Sequence, residues 1–183
     1  EKGVREEDSF DEVVARAEVI DLPDFSTFED IVQQASNALG PKVQTLPETL
    51  ARDFLEGSRI GATPVSHGAA LPHTRIAGLA QSELVLVRCR EGRYVEVPGL
   101  SGGLTRTGPV HAFFFIVSPN ENPGQHLRIL AQIAGRVDES NFLEEWLAAV
   151  DDQELKENLL RDERFLSIKL KASTASSALV GRT

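Results

Sequence analysis

Four histidines carry most of the chemistry this sequence could do: His67, His73, His111 and His126. His73 ends the run Gly68-Ala69-Ala70-Leu71-Pro72-His73. Proline fixes the backbone and the small residues permit close packing, so the spacing predicts a rigid imidazole at a strand end. An imidazole with an ordinary pKa of about 6.5 is largely neutral at pH 7, and a held, partly exposed one is a competent nucleophile. Arg75 stands two residues further on, where it could attract an anion. The residues alone leave two readings of His73 open, a nucleophile and a structural turn histidine. His126 opens the stretch His126-Leu127-Arg128-Ile129-Leu130-Ala131-Gln132-Ile133-Ala134. A helix N-terminus favours the neutral ring, so His126 is either a donor to an oxyanion or to the other imidazole, or a plain helix-start residue. His67, six residues before His73, is either a third group at the same pocket or an exposed turn residue. His111 begins an apolar strand and reads as structural.

Several chemistries find no support. No two histidines sit at i, i+4 on a helix and there is one cysteine, Cys89, so neither a metal site nor a disulfide framework is expected. No phosphate-binding loop, dinucleotide fingerprint or nucleophile elbow occurs, and no cofactor is implied. Cys89 lies between two arginines in an apparent strand, where a small core residue is the plainer reading. The formal net charge of −9 argues against a nucleic-acid partner. That charge is uneven: residues 1–30 hold eleven acids against three bases, while residues 57–110 hold six arginines (Arg59, Arg75, Arg88, Arg90, Arg93, Arg106) against three acids. These arginines either surround an anion or line solvated strand edges. The content of 41% hydrophobic and 26% charged residues fits a globular domain. No apolar run approaches the roughly 18 residues of a membrane span, and nothing reads as a signal peptide.

The elements that must position these groups can be read from periodicity. Ala17–Leu22 is expected as a strand. Ser26 or Thr27 caps a helix to about Leu39, with Gly40-Pro41 as its stop. Thr45 and Glu48 form a capping-box pattern for a helix to about Glu56. Ile60–His73 reads as short strands and turns. Ser82–Arg90 reads as a strand paired with Tyr94–Val97 across a turn at Glu91-Gly92, followed by a Gly-rich loop over Pro98–Pro109. Val110–Ser118 is a continuous apolar run of strand length, the signature of a strand buried on both faces. Gln125–Val137 carries one wide apolar helical face. Further helices are expected from Ser140 or Asn141 to Val150 and from Asp151 or Asp152 to Arg161, with a last strand at Phe165–Leu170. Interleaved helices and strands predict an α/β fold, a mixed β-sheet sandwiched by helices. Residues 1–16 read as a linker, 17–171 as the domain and 172–183 as a flexible tail. A first residue of Glu and the absence of methionine suggest a piece of a longer protein.

Leu71-Pro72-His73, followed about fifty residues later by His126-Leu127-x-x-Leu130-Ala131-x-Ile133-Ala134, resembles the enzyme IIA domain of the bacterial phosphotransferase system, in its fructose/mannitol/nitrogen type. The resemblance spans roughly Val19 to Leu170. It implies that His73 accepts a phosphoryl group from the phosphocarrier HPr and passes it to an enzyme IIB partner, with His126 supporting it by hydrogen bonding and no metal or cofactor required. The chain departs from the common pattern at three points, one being the stretch Thr63-Pro64-Val65-Ser66-His67-Gly68, which is unlike the usual Ser/Thr-x-x-Gly segment. The usual arginine sixteen residues before the active histidine is here Gly57, the nearest being Arg59, and the usual Pro-His-Gly is Pro72-His73-Thr74. Variants of this kind look like enzyme IIA-like domains at the cytosolic end of bacterial membrane transporters, such as amino-acid permeases and cation/proton antiporters. That likeness implies a cytoplasmic regulatory domain acting on a transporter domain of the same polypeptide. It would act through an anion or phosphoryl site at His73 and His126, with Arg59, Arg75 and His67 as ligand-binding residues. The ligand would be a small anion or a nucleotide, and the domain a homodimer. The alternative is an active phosphotransfer protein serving HPr and enzyme IIB.

Overall fold

The computed structural model describes residues 9–22 and 26–161. Its elements in chain order are α1 (Phe10–Ala15), β1 (Glu18–Leu22), α2 (Phe28–Val43), α3 (Pro47–Arg59), β2 (Val65–Ser66), β3 (Ala69–Ala70), β4 (His73–Ile76), β5 (Glu83–Pro98), β6 (Leu104–Pro119), α4 (Pro123–Val137), α5 (Phe142–Ala148) and α6 (Asp152–Leu160). Five strands follow the order β1-β5-β6-β3-β2, and β4 also pairs with β6. β1 runs parallel to β5, β5 antiparallel to β6, and β3 and β4 parallel to β6. The sheet is therefore mixed.

The side-chain alternation of the central strands explains the two layers of helix. Along β6, Ala112, Phe114 and Ile116 join one core with Leu84 and Leu86 of β5, and with Ile133, Trp146 and Leu155 from α4, α5 and α6. Phe113, Phe115 and Val117 join the opposite core with Val85 and Val87, and with Ile31, Leu39 and Phe54 from α2 and α3. Both faces of Val110–Val117 are thus covered, as an unbroken apolar run requires. Burial of each phenylalanine stabilises by about 2–3 kcal/mol. Among the described residues no helix is long and apolar enough to cross a membrane.

Several expectations are corrected. Residues 10–15, read as part of a linker, form α1: Ser9 and Glu12 make a reciprocal capping box, and Val13 and Val14 are buried. Gly40-Pro41 does not stop α2, which continues to Val43 and ends at Gln44 in the left-handed conformation. Thr45 does not cap α3; the cap position is Leu46, with Pro47 in the first turn. Glu91-Gly92 is not a hairpin turn. β5 passes through it with a register irregularity between Arg88 and Val95, and Tyr94–Val97 belongs to the same strand as Ser82–Arg90, pairing with Leu104–Thr107 of β6. Most of the expected loop at Pro98–Pro109 is strand, with its turn at residues 99–103. Gly92 has φ +77°, and a Cβ there would stand 2.7 Å from Pro109 Cβ, so the residue meets a need of the bulge instead of a turn. The expected strand at Phe165–Leu170 lies outside the described residues.

Two buried arginines fasten the elements together, Arg88 across the sheet and onto α5, Arg136 among the helices. Arg88 of β5 is 1% exposed; it donates to Asp21 Oδ1 and Oδ2 (3.1 and 2.6 Å) and to the carbonyls of Trp146 and Ala149 (3.1 and 2.6 Å). A solvated strand edge is thus the wrong reading of this residue. Arg136 of α4 binds Glu139, Asn141, Glu145 and Asn158, joining α4, α5 and α6.

Candidate functional site

β3 and β4 lie end to end along the same edge of β6, and Leu71-Pro72 separates them. Pro72 has no N–H to give a ladder, yet its carbonyl accepts from Ile116 N at 3.0 Å, so the chain stays beside β6 through the break. His73 is then placed opposite Ile116, and Arg75 opposite Ser118. His73, Arg75 and Ser118 therefore project from the face that α4 covers.

The start of α4 is fixed from three sides. Asn122 caps the helix by accepting from Gln125 N (3.2 Å). Ser82 Oγ donates to Gln125 Oε1 (3.4 Å). The carboxylate of Glu121 accepts from Gly78 N (2.9 Å), tying the loop after β4 to the loop before α4, and this hydrogen bond lowers the Glu121 pKa. His126 is thereby brought over His73, with ring centroids 5.2 Å apart and planes inclined at 50°.

The hydrogen bonds define the chemistry of the pair. His73 Nδ1 lies 2.8 Å from the carbonyl of Leu71. A carbonyl can only accept, so Nδ1 carries the proton and Nε2 of the neutral ring bears the free lone pair. His126 is buried, with Nδ1 2.7 Å from Ser118 Oγ. Burial, then repulsion by His73 when it is protonated and by Arg75, push its pKa down to about 4. Neutral His126 carries one N–H, and burial, not its place at the helix start, is the first cause of its neutrality. When Ser118 Oγ donates to Nδ1, that N–H is on Nε2. A nucleophilic nitrogen beside a neutral donor, with the Arg75 charge nearby, suits covalent capture of an electrophile that brings negative charge, such as a phosphoryl group.

The other expected site residues lie elsewhere. His67 sits in the β2–β3 turn with φ +51°. Its Nδ1 meets both Ser66 Oγ (2.6 Å) and Asp138 Oδ1 (3.0 Å), the latter just past the C-terminal end of α4. His126 is at the other end of that helix, roughly 18 Å away at 1.5 Å per residue. The Ser66-His67-Asp138 cluster is not a catalytic triad, because both partners use the same ring nitrogen. Arg59 lines a separate cleft whose walls include neither His73 nor His126. His111 is structural, its Nδ1 facing the carbonyls of Cys89 and Arg90 (3.0 and 3.1 Å). Ser118 escaped the sequence reading; its signal is a polar residue closing an apolar strand run. Among the described residues no three His, Cys, Asp or Glu side chains cluster as a metal site would require.

A family profile described as phosphoenolpyruvate-dependent sugar phosphotransferase system, EIIA 2, matches residues 13–162. The chain belongs to this EIIA type 2 family. Among curated proteins no sequence matches it significantly. Among solved structures the chain is similar to nitrogen regulatory protein IIA-Ntr from Neisseria meningitidis (TM-score 0.66, 22% identity, covering 77% of this chain and 91% of that one). It is also similar to IIA mannitol from Escherichia coli (TM-score 0.56, 17% identity, 77% and 94% covered). A third likeness is to IIA mannitol in its complex with phosphorylated IIB mannitol, also from Escherichia coli (TM-score 0.53, 15% identity, 78% and 93% covered). At these identities the likeness establishes the fold: the mixed sheet between helices is that of IIA mannitol.

Proposed function

We propose that this EIIA type 2 domain is a regulatory module switched by a phosphoryl group, or another anion, engaged at His73 Nε2. The observation that carries the reading is the Nδ1 contact of His73 to the Leu71 carbonyl, which leaves Nε2 as the free nucleophile beside neutral His126. In the covalent form, the Nε2 lone pair forms a P–N bond as the bond between phosphorus and the donor breaks, its electron pair leaving with the donor. The Nδ1 proton stays on the ring and keeps its carbonyl partner. His126 donates to a phosphoryl oxygen, and Arg75 adds positive charge.

The finer setting is a domain on the cytosolic side of a bacterial membrane transporter, regulating a carrier of the same polypeptide, with HPr as donor and a homodimer as the working unit. The departures at Gly57 and Thr74 support this setting. A second reading, a phosphotransfer protein that passes the group to an enzyme IIB, draws support from the complex of the mannitol IIA relative with phosphorylated IIB.

The test is incubation with enzyme I, HPr and phosphoenolpyruvate, followed by intact mass at neutral pH. An acid-labile phosphoryl adduct absent from His73→Ala is expected. Failure of the wild-type chain to acquire it, with donors active on another acceptor, overturns phosphorylation. Rapid loss of the adduct to added enzyme IIB would favour the relay over the switch.

A further inference from the structure

A second cleft opens at the opposite end of the sheet, between the N-terminus of α2, the C-terminus of α3 and the projecting β5–β6 ribbon. Its volume is about 640 Å³, and its walls include Phe28, Arg59, Arg93, Tyr94 and Arg106. The volume falls within the roughly 300–1,000 Å³ of small-molecule sites. The cleft is distinct from the histidine pair. Arg93 lies opposite Val110 and His73 opposite Ile116, six residues along β6, or roughly 20 Å at 3.3 Å per residue. The helices beside the cleft, α2 and α3, also cover the other face of the sheet.

The walls are built, not merely adjacent. Arg93 donates through Nε to the Ser26 carbonyl and through Nη1 to the Gly92 carbonyl (2.6 Å), joining the start of α2 to β5. Ser58 Oγ donates to the Glu96 carbonyl (2.7 Å), joining α3 to the same strand. Two further arginines fasten nothing. Arg59 and Arg106 are exposed and make no hydrogen bond or ion pair with any described residue. The Arg106 guanidinium lies over the Tyr94 ring, 4.8 Å from its centroid, and Tyr94 is 49% exposed. An aromatic ring capped by a planar guanidinium presents a flat shelf on which a heterocycle can stack. Arg59 across the cleft supplies the planar donor fork that matches a phosphate. Glu29 and Glu96 also line the space and leave the wall with one net positive charge, which favours an anion.

From these features we infer that the cleft is a second ligand site, taking a nucleoside phosphate with its base on the Tyr94–Arg106 shelf and its phosphate on Arg59. The site stands independently of phosphorylation at His73.

The test is isothermal titration of the whole chain at physiological salt with the four common ribonucleoside mono- and triphosphates, and with inorganic phosphate and adenosine alone. At least one nucleotide is expected to bind with Kd below about 1 mM, and about tenfold more tightly than either fragment. Arg59→Ala and Tyr94→Ala are each expected to weaken it by about tenfold or more, since both side chains are exposed and their loss spares the core. His73→Ala should leave it unchanged. No nucleotide binding below about 1 mM, equal binding of inorganic phosphate, or binding indifferent to both substitutions would overturn the assignment.

Discussion

Replacing His126 by glutamine isolates the pH dependence that the buried imidazole imposes on the fold. In the folded chain its pKa lies at about 4, against an ordinary value of 6.5. Between those values the unfolded chain binds a proton that the folded chain refuses, so stability falls as pH falls, and the loss is complete below about pH 4. At pH 7.5 both states are neutral and the contribution vanishes. At pH 4.5 the unfolded ring is almost fully protonated and the folded ring mostly neutral, which costs about 2–3 kcal/mol. Urea denaturation of wild type and His126→Gln at both values measures it. Carboxylates such as Asp21, whose pKa is lowered chiefly by its hydrogen bond to Arg88, weaken both proteins alike on acidification and cancel in the difference. The wild type should lose about 2–3 kcal/mol more than the variant between pH 7.5 and 4.5. Equal losses would show that His126 charges freely in the fold, and the neutral donor assigned to it would be wrong.

Asp21→Asn removes the carboxylate that meets the buried guanidinium of Arg88. It should cost about 2–3 kcal/mol in urea unfolding, less than a fully buried pair because Asp21 is 40% exposed, and a cost under about 1 kcal/mol would contradict the fastening role. Gly57→Arg restores an arginine in α3. A Cβ at Gly57 meets only Thr63 Oγ1, at 3.7 Å, so the variant should fold and should gain about tenfold or more in the rate of phosphoryl transfer from HPr to His73, read by rapid quenching and intact mass; an unchanged rate would show that α3 cannot address the pair.

The core was legible where a single physical demand shaped the sequence. Val110–Ser118 must be buried on both faces, and its unbroken apolar run says so. Leu71-Pro72-His73 announces a backbone held at a strand end, and His126 heads a helix with one apolar face; their meeting at 5.2 Å follows from the family resemblance more than from spacing. Other features depended on partners distant in sequence. Arg88 looks like an exposed strand residue until Asp21 and the carbonyls of Trp146 and Ala149 are brought to it. Gly92 carries the composition of a turn, and only its closeness to Pro109 marks a bulge within a continuous ribbon. The helix at Phe10–Ala15 does have a local signal, masked by the acids around it: Ser9 and Glu12 form a capping box, and Val13 and Val14 supply the apolar face. Arg59 and His67 stand near His73 in sequence, but Arg59 lines the separate cleft and His67 meets Asp138 at the far end of α4.

The balance of charge at the histidine pair bears on whether the domain relays a phosphoryl group or is switched by one. A phosphoryl group on His73 Nε2 would carry negative charge against an N–H of neutral His126 and the nearby positive charge of Arg75. A hydrogen bond from a neutral donor is roughly half as strong as one from a charged donor. The position that holds an arginine in the resembled phosphotransfer proteins is Gly57, and nothing in the packing demands a glycine there. Loss of one preorganised donor to a developing charge slows a reaction by about 10²–10³. The same loss slows the forward and reverse transfers alike, because both cross one transition state. A relay between HPr and an enzyme IIB needs that exchange to be fast. A regulator needs the modified state to persist long enough to be read. The chain keeps the nucleophile and the neutral companion while Gly57 stands where the resembled proteins hold an arginine, and on that ground we propose the switch over the relay.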